Sequence, residues 1–243
     1  MEDKKVNEYQ GIILKKISYK ESSEIIYLYT DQGLISVLVH GSRKMKSPFL
    51  NLTKILNQVK LIVSGKNLQT LRDGEVIGNY SSIHESLEKY TYCLFLSEML
   101  YYFSTHEHDH EKLYNFLLKI LPLIKEESNY IPYINMFELK LLYLLGVNPN
   151  LNSCIVCEEK DELTFSIKDG GVFCKTHQKE NSYNNQTVQA IRKLYYHDLN
   201  KTKEIDIDLS LYKDIRNLID EYYEYHLNYF SKTRKMLKGL IGY

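Results

Sequence analysis

From Tyr9 to about Tyr80, apolar and polar positions alternate with a period near two, in short β-rich runs. The runs are Gly11 to Ile17, Glu24 to Thr30, Leu34 to His40, Val59 to Ser64, and Leu68 to Arg72 with a continuation through Val76. Asp31-Gln32-Gly33, Gly65-Lys66-Asn67 and Asp73-Gly74 punctuate them with residues that tolerate positive φ or bond their own backbone in tight turns. Ile25, Tyr27 and Tyr29 alternate with Ile26, Leu28 and Thr30, so both faces of this run are largely apolar. That is expected of a strand with one side inside a barrel and the other partly covered. Five short strands predict an OB-type barrel, with a small sandwich as the alternative at this level.

After Tyr80 the period changes to 3.6. Ser82 followed by Glu85 reads as a capping box opening a helix to about Phe103. Further helices are expected over Glu111 to Glu126, bent at Pro122, and over Tyr133 to Leu145, ended by Gly146 and Pro149. Others follow over Thr187 to Tyr196 and Leu209 to Leu240. The predicted fold class is α+β and multi-module. Residues 1–80 form an OB-fold nucleic-acid-binding domain, 81–150 the first part of a helical domain, 151–180 a small zinc-knuckle insert, and 181–243 the C-terminal part of the helical domain.

Composition changes this picture in three places. The 31 basic residues balance the 31 acidic ones, so attraction to a polyanion must come from uneven placement. Of four cysteines, Cys93 lies in an apolar helical run and reads as a small buried hydrophobe. The odd remainder and the lack of a charged-then-apolar N-terminal signal predict a reducing, cytoplasmic compartment, and no apolar run reaches the roughly 18 residues that span a bilayer. Most of the 22 tyrosines are expected to serve as ordinary amphipathic core rings.

The sharpest local pattern is Cys154-Ile-Val-Cys157, sixteen residues, then Cys174-Lys-Thr-His177. Each two-residue gap lets both ligands of a pair point one way, and a hairpin through Asp169-Gly170-Gly171 would bring the pairs together. Thiolate-rich ligation favours one Zn²⁺, and four protein ligands leave no position open, so the site is expected to stabilise rather than catalyse. A redox role for Cys154 and Cys157 is disfavoured because no βαβ pattern surrounds them. His106, His108 and His110 alternate in a short polar link between helices and are expected to be solvated.

Charge is uneven in two regions. Residues 1–80 hold twelve basic and eight acidic side chains, with Lys15, Lys20, Arg43, Lys44, Lys46, Lys66 and Arg72 as candidate phosphate contacts and Phe49, Tyr27 and Tyr29 as candidate stacking platforms. At the other end Lys232, Arg234, Lys235 and Lys238 face no acidic residue after Glu224.

Taken in order, Gly11-Ile-Ile-Leu14, Tyr19-Lys-Glu-Ser22, Thr30-Asp-Gln-Gly33-Leu34, His40-Gly-Ser-Arg-Lys44 with Ser47, Phe137-Glu-Leu-Lys-Leu-Leu142 with Leu145-Gly146 and Pro149, and the knuckles resemble the bacterial recombination mediator family RecO over nearly the whole chain. The resemblance implies an OB-fold, a helical domain and a zinc-binding insert. It also implies binding to single- and double-stranded DNA, annealing of complementary strands, and help in loading RecA onto DNA coated by single-strand-binding protein. RecR and the C-terminal tail of single-strand-binding protein are the implied partners, RecA is engaged indirectly, and the implied location is the nucleoid. His40 stands where a small residue is commoner in the family, and His177 where a fourth cysteine is frequent. Some members lack the zinc ligands, which fits a structural metal.

The competing readings are a zinc-containing RNA-binding or transcription-associated OB-fold protein and a zinc hydrolase. The second is disfavoured by the closed ligand set and the lack of an acid, base and nucleophile constellation. No catalytic residue is expected.

Overall fold

A computed structural model describes residues 6–65, 68–106 and 109–241. Contacts divide the chain into two units, residues 1–125 with 231–242, and residues 126–230.

The first unit is built on five strands, β1 (Val6–Tyr19), β2 (Ser23–Thr30), β3 (Gly33–Val39), β4 (Gln58–Ser64) and β5 (Gln69–Gly78). They close into a barrel in the order β1-β2-β3-β5-β4, with β4 returning to β1. The long first strand makes closure possible: residues Val6 to Ile12 pair with β4, and Ile12 to Tyr19 pair with β2. Its register shifts between Ile13 and Lys15, a bulge that bends the strand from one neighbour to the other. The β3–β5 pairing is parallel and the others are antiparallel. This is the OB-type barrel that the alternation predicts.

Ile13, Ile26, Leu28, Val37, Val39, Val59, Leu61 and Val63 fill the interior, with Leu52 and Leu71 beside them. On the opposite face of β2, Ile25 and Tyr27 are half-buried and Tyr29 is fully buried. The strand is therefore covered on both sides, as its two apolar faces require.

Two helices follow, α1 (Leu87–Phe103) and α2 (His110–Glu126). The Ser82–Glu85 capping box does not form. Ser81–Glu85 is instead a short 3₁₀ turn, and Ser86, in extended conformation, caps α1 by accepting the Lys89 N–H at 3.3 Å. The helix α2 continues through Pro122 to Glu126.

The second unit holds α3 (Ile131–Leu144), the hairpin β6 (Thr164–Ser166) and β7 (Gly171–Phe173), α4 (Asn185–Tyr196) and α5 (Tyr212–Leu227). Gly146, at φ +72°, closes α3 while the Val147 N–H bonds the Leu142 carbonyl at 3.0 Å. The expected helix from Leu209 to Leu240 is two helices. Asn228 takes the left-handed conformation (φ 48°) and ends α5, and α6 (Lys232–Ile241) starts afresh as part of the first unit. A short polar side chain tolerates this backbone where most residues do not. No helix among the described residues is long and apolar enough to cross a membrane.

Candidate functional site

The four knuckle residues converge. Cys154 and Cys157 lie on the turn before the β6–β7 hairpin, Cys174 directly follows β7, and His177 ends a 3₁₀ turn over Lys175–His177. Backbone bonds fix the turn: the Glu158 N–H reaches the Cys154 carbonyl at 2.9 Å, and the Cys154 N–H reaches the Glu159 carbonyl at 2.7 Å. The hairpin is held to the same turn where the Ile155 N–H meets the Val172 carbonyl at 3.0 Å.

The donor atoms all lie within 4.8 Å of one another. Cys157 Sγ is 3.6 Å from Cys174 Sγ, and His177 Nδ1 is 3.3 Å from Cys174 Sγ and 3.7 Å from Cys154 Sγ. A tetrahedral ion with sulfur at about 2.3 Å and nitrogen at about 2.0 Å sets edges of roughly 3.5–3.8 Å. The group therefore fits one metal ion, and the three cysteines are free thiols rather than a disulfide. Desolvation raises the Cys154 thiol, but the backbone N–H groups of Cys174, Val156 and Cys157 outweigh it and bring it down to about 6. His177 is raised by its bonds to Cys174 and Cys154.

Two side chains of α5 tie this hairpin down. His226 Nε2 donates to the Ile167 carbonyl at 2.7 Å, its ring stacks 4.2 Å from Tyr222, and the Tyr222 hydroxyl donates to the Val147 carbonyl at 3.0 Å. Among the histidines of the polar link, His106 lies against the rings of Tyr102 and Phe103, while His110 Nδ1 is 3.1 Å from the Tyr29 hydroxyl. His108 lies outside the described residues.

The basic candidates sort into three groups. At one end of the barrel, Lys20 sits exposed in the β1–β2 turn, and the segment after β3 folds onto that turn. The Arg43 N–H reaches the Ser22 carbonyl at 3.0 Å and the Gly41 N–H reaches Ser23 Oγ at 3.3 Å. Lys20, Arg43, Lys44 and Lys46 are thereby gathered, all exposed. Arg72 is exposed on β5 and donates to Ser64 Oγ at 2.6 Å, and Lys66 lies outside the described residues.

Lys15 forms the second group with two tyrosines. Its ammonium lies 4.1 Å above the centroid of the Tyr101 ring on α1 and 5.8 Å from that of Tyr27. Neighbouring Lys16 is paired with Glu24 at 3.1 Å, and Lys60 with Glu8 at 3.0 Å, so these two lysines already face carboxylates.

The third group is α6. Lys232 and Lys235 are exposed and Lys238 is half-buried, but Arg234 is buried, with its guanidinium 4.6 Å above the Phe95 ring. Arg234 is thus placed against α1 rather than on the basic face that its charge suggested. Of the stacking candidates, Tyr29 is fully buried and Phe49 packs half-buried on the barrel core, which leaves Tyr27 at the surface edge. Glu98 and Tyr101 were not among the expected functional residues. The available signal was Glu98 itself, a carboxylate inside the apolar run Tyr90 to Phe103.

A family model described as Recombination protein O N terminal matches residues 4–80, and one described as Recombination protein O C terminal matches residues 84–235. The chain belongs to the Recombination protein O family. Among relatives of the family, a DNA repair protein RecO from Listeria monocytogenes serotype 4b is 29% identical over 240 residues, covering 95% of this chain and 93% of that protein. A DNA repair protein RecO from Bacillus mycoides is 25% identical over 238 residues, covering 95% of this chain and 96% of that protein. A solved asparaginyl-tRNA synthetase from Pyrococcus horikoshii covers 77% of this chain and 41% of its own at 10% identity and a TM-score of 0.28, a likeness that carries no argument.

Proposed function

We propose that this chain is a DNA-binding mediator of recombinational repair. It binds and anneals single-stranded DNA, and it assists RecA loading onto DNA coated by single-strand-binding protein, together with RecR, in the cytoplasm. The observation that carries the reading is the cluster of Lys20, Arg43, Lys44 and Lys46 at one end of an OB-type barrel, in a chain of the RecO family. The name of its relatives, DNA repair protein, favours DNA over RNA as the polyanion.

Basic groups neutralise phosphates and release counterions, so two strands can approach while their bases stay free to pair. This requires no chemical step. Cys154, Cys157, Cys174 and His177 hold one Zn²⁺, which ties the two knuckles across the β6–β7 hairpin and serves stability. RecR, RecA and the tail of single-strand-binding protein enter through the family resemblance.

The test is annealing of complementary oligonucleotides, with and without single-strand-binding protein, over a salt series. Acceleration at low salt that fades as salt rises is expected, and charge reversal at Arg43, Lys44 and Lys46 should weaken it across sequences, because phosphate contacts carry no base preference. Absence of acceleration at low salt overturns the mediator reading.

A further inference from the structure

Two of the three basic groups, Lys15 and the lysines of α6, lie more than two hundred residues apart in sequence, yet both belong to the first unit and both rest on α1. On the barrel side, Tyr101 holds the Lys15 ammonium over its ring, with the Tyr27 ring set edge-on at 5.1 Å. A lysine held this way is directed before any ligand arrives. On the other side, Glu98 caps the start of α6. One carboxylate oxygen accepts the Lys232 N–H at 3.0 Å, and the other accepts the Thr233 N–H at 3.0 Å, the Ser231 hydroxyl at 3.1 Å and the Thr233 hydroxyl.

A carboxylate satisfying two orphan N–H groups at the positive end of a helix is a strong fixing point. The guanidinium of Arg234 over Phe95 adds a second. Glu98 and Tyr101 are three residues apart, so these attachments lie on adjacent turns and neighbouring faces of one helix.

We infer that Lys15 on β1 and Lys232 and Lys235 on α6 form one continuous phosphate track across α1, occupied by a single DNA strand, with Glu98 as the positioning residue that holds the α6 end in place. The inference rests on the DNA-binding reading above and adds that the Lys15 group and the α6 lysines are halves of one site, not separate sites for two strands. Half-buried Lys15, held over the Tyr101 ring, and exposed Lys232 and Lys235, on a helix whose start Glu98 caps, give the strand a path fixed to one helix before it binds.

The experiment is a fluorescence-anisotropy titration of the full chain with labelled oligothymidine of about 16 nucleotides, a length matched to the upper site size of an OB-type domain, repeated over a salt series. The wild-type chain should take up one oligomer. Since each neutralised phosphate of a single strand adds about 0.7 to the slope of log affinity against log salt, Lys15→Ala should lower that slope by about 0.7 and the pair Lys232→Ala with Lys235→Ala by about 1.4, both in the same single binding event. Glu98→Ala should flatten the slope much as the double lysine variant does, although every lysine is still present. Glu98→Gln retains one carbonyl acceptor and should restore part of the loss.

Thermal unfolding separates a displaced helix from a lost fold, and if Glu98→Ala does not fold, the lysine variants carry the test alone. Two oligomers per chain, with each set of lysine variants abolishing one of them, would overturn the single track while leaving DNA binding intact. A Glu98→Ala protein that is folded and keeps the wild-type slope would remove Glu98 from its assigned part. No binding by the wild-type chain in dilute salt would overturn the DNA-binding reading itself.

Discussion

Arg216 on α5 and Glu138 on α3 meet away from solvent, both terminal nitrogens of the guanidinium donating to the two carboxylate oxygens, with only 2% and 0% of the residues exposed. The same guanidinium donates to Asp220 at 2.8 Å and to Asn135 at 2.7 Å, and the Tyr223 hydroxyl donates to the Glu138 carbonyl at 2.8 Å. One cation therefore serves two buried carboxylates. Removing it takes this charge partner from both at once, whereas neutralising Glu138 leaves Arg216 with Asp220. Arg216→Met should cost about 3–5 kcal/mol, the range for breaking a buried pair, and Glu138→Gln clearly less. Urea unfolding of the full chain at constant slope measures both. Equal losses below 1 kcal/mol for the two would show that the network is not a keystone of the second unit.

Gly11 lies where β1 passes from β4 to β2, and a Cβ there would stand 2.5 Å from the Tyr29 carbonyl oxygen and 2.7 Å from Leu28 Cγ. Backbone on one side and a core side chain on the other leave it nowhere to go. Gly11→Ala should destabilise the barrel by about 1–3 kcal/mol, as overpacking does, and lower the melting temperature. A melting temperature equal to that of the wild type would mean that the strands part there at no cost.

Burial pushes the Cys93 thiol up to about 12, against a smaller opposing pull from Lys89. The folded value lies above the ordinary 9.0, so the fold favours the neutral thiol. The stability that Cys93 contributes is fully present below pH 9 and is lost as pH rises toward the folded value. The reactive species is the thiolate, so at pH 8 Cys93 should resist iodoacetamide in the native chain and label only after unfolding. Mass spectrometry of the modified peptides checks this, and native labelling of Cys93 at the rate of an unfolded control would contradict its burial.

Local chemistry made the barrel legible. Alternation in Glu24 to Thr30, together with turns at Asp31-Gln32-Gly33 and Asp73-Gly74, marks strands because each signal acts within a few residues. The knuckles were legible for the same reason: each ligand pair is local, and the hairpin only has to join them. The break between α5 and α6 was not, since Asn228 carries neither the glycine nor the proline that usually announces a helix end. Arg234 departs from the surface face that the charge pattern of α6 suggests. Ser231, Arg234 and Leu237 are all buried, spaced three apart on the face toward α1, and a charge on that face looks in sequence like its exposed neighbour Lys235. Glu98 meets Thr233 across more than 130 residues, and no local pattern encodes such a contact.

The knuckle group makes the last prediction, and it separates metal from fold. Three sulfurs and one imidazole nitrogen within 4.8 Å suit a borderline-soft ion, so the purified chain should carry about one zinc per molecule by elemental analysis. The thiols of Cys154 and Cys157 should be shielded from alkylation while the ion is bound and should become reactive once a chelator removes it. Cys154→Ser should lose the metal and lower the unfolding midpoint of the second unit. Because the ion binds the folded group and not the open chain, its removal by chelator should produce a loss of similar size in the wild type and none in the variant. A freshly prepared, chelator-free chain without zinc, or a chelator that shifts the two proteins equally, would count against a structural metal at these four residues.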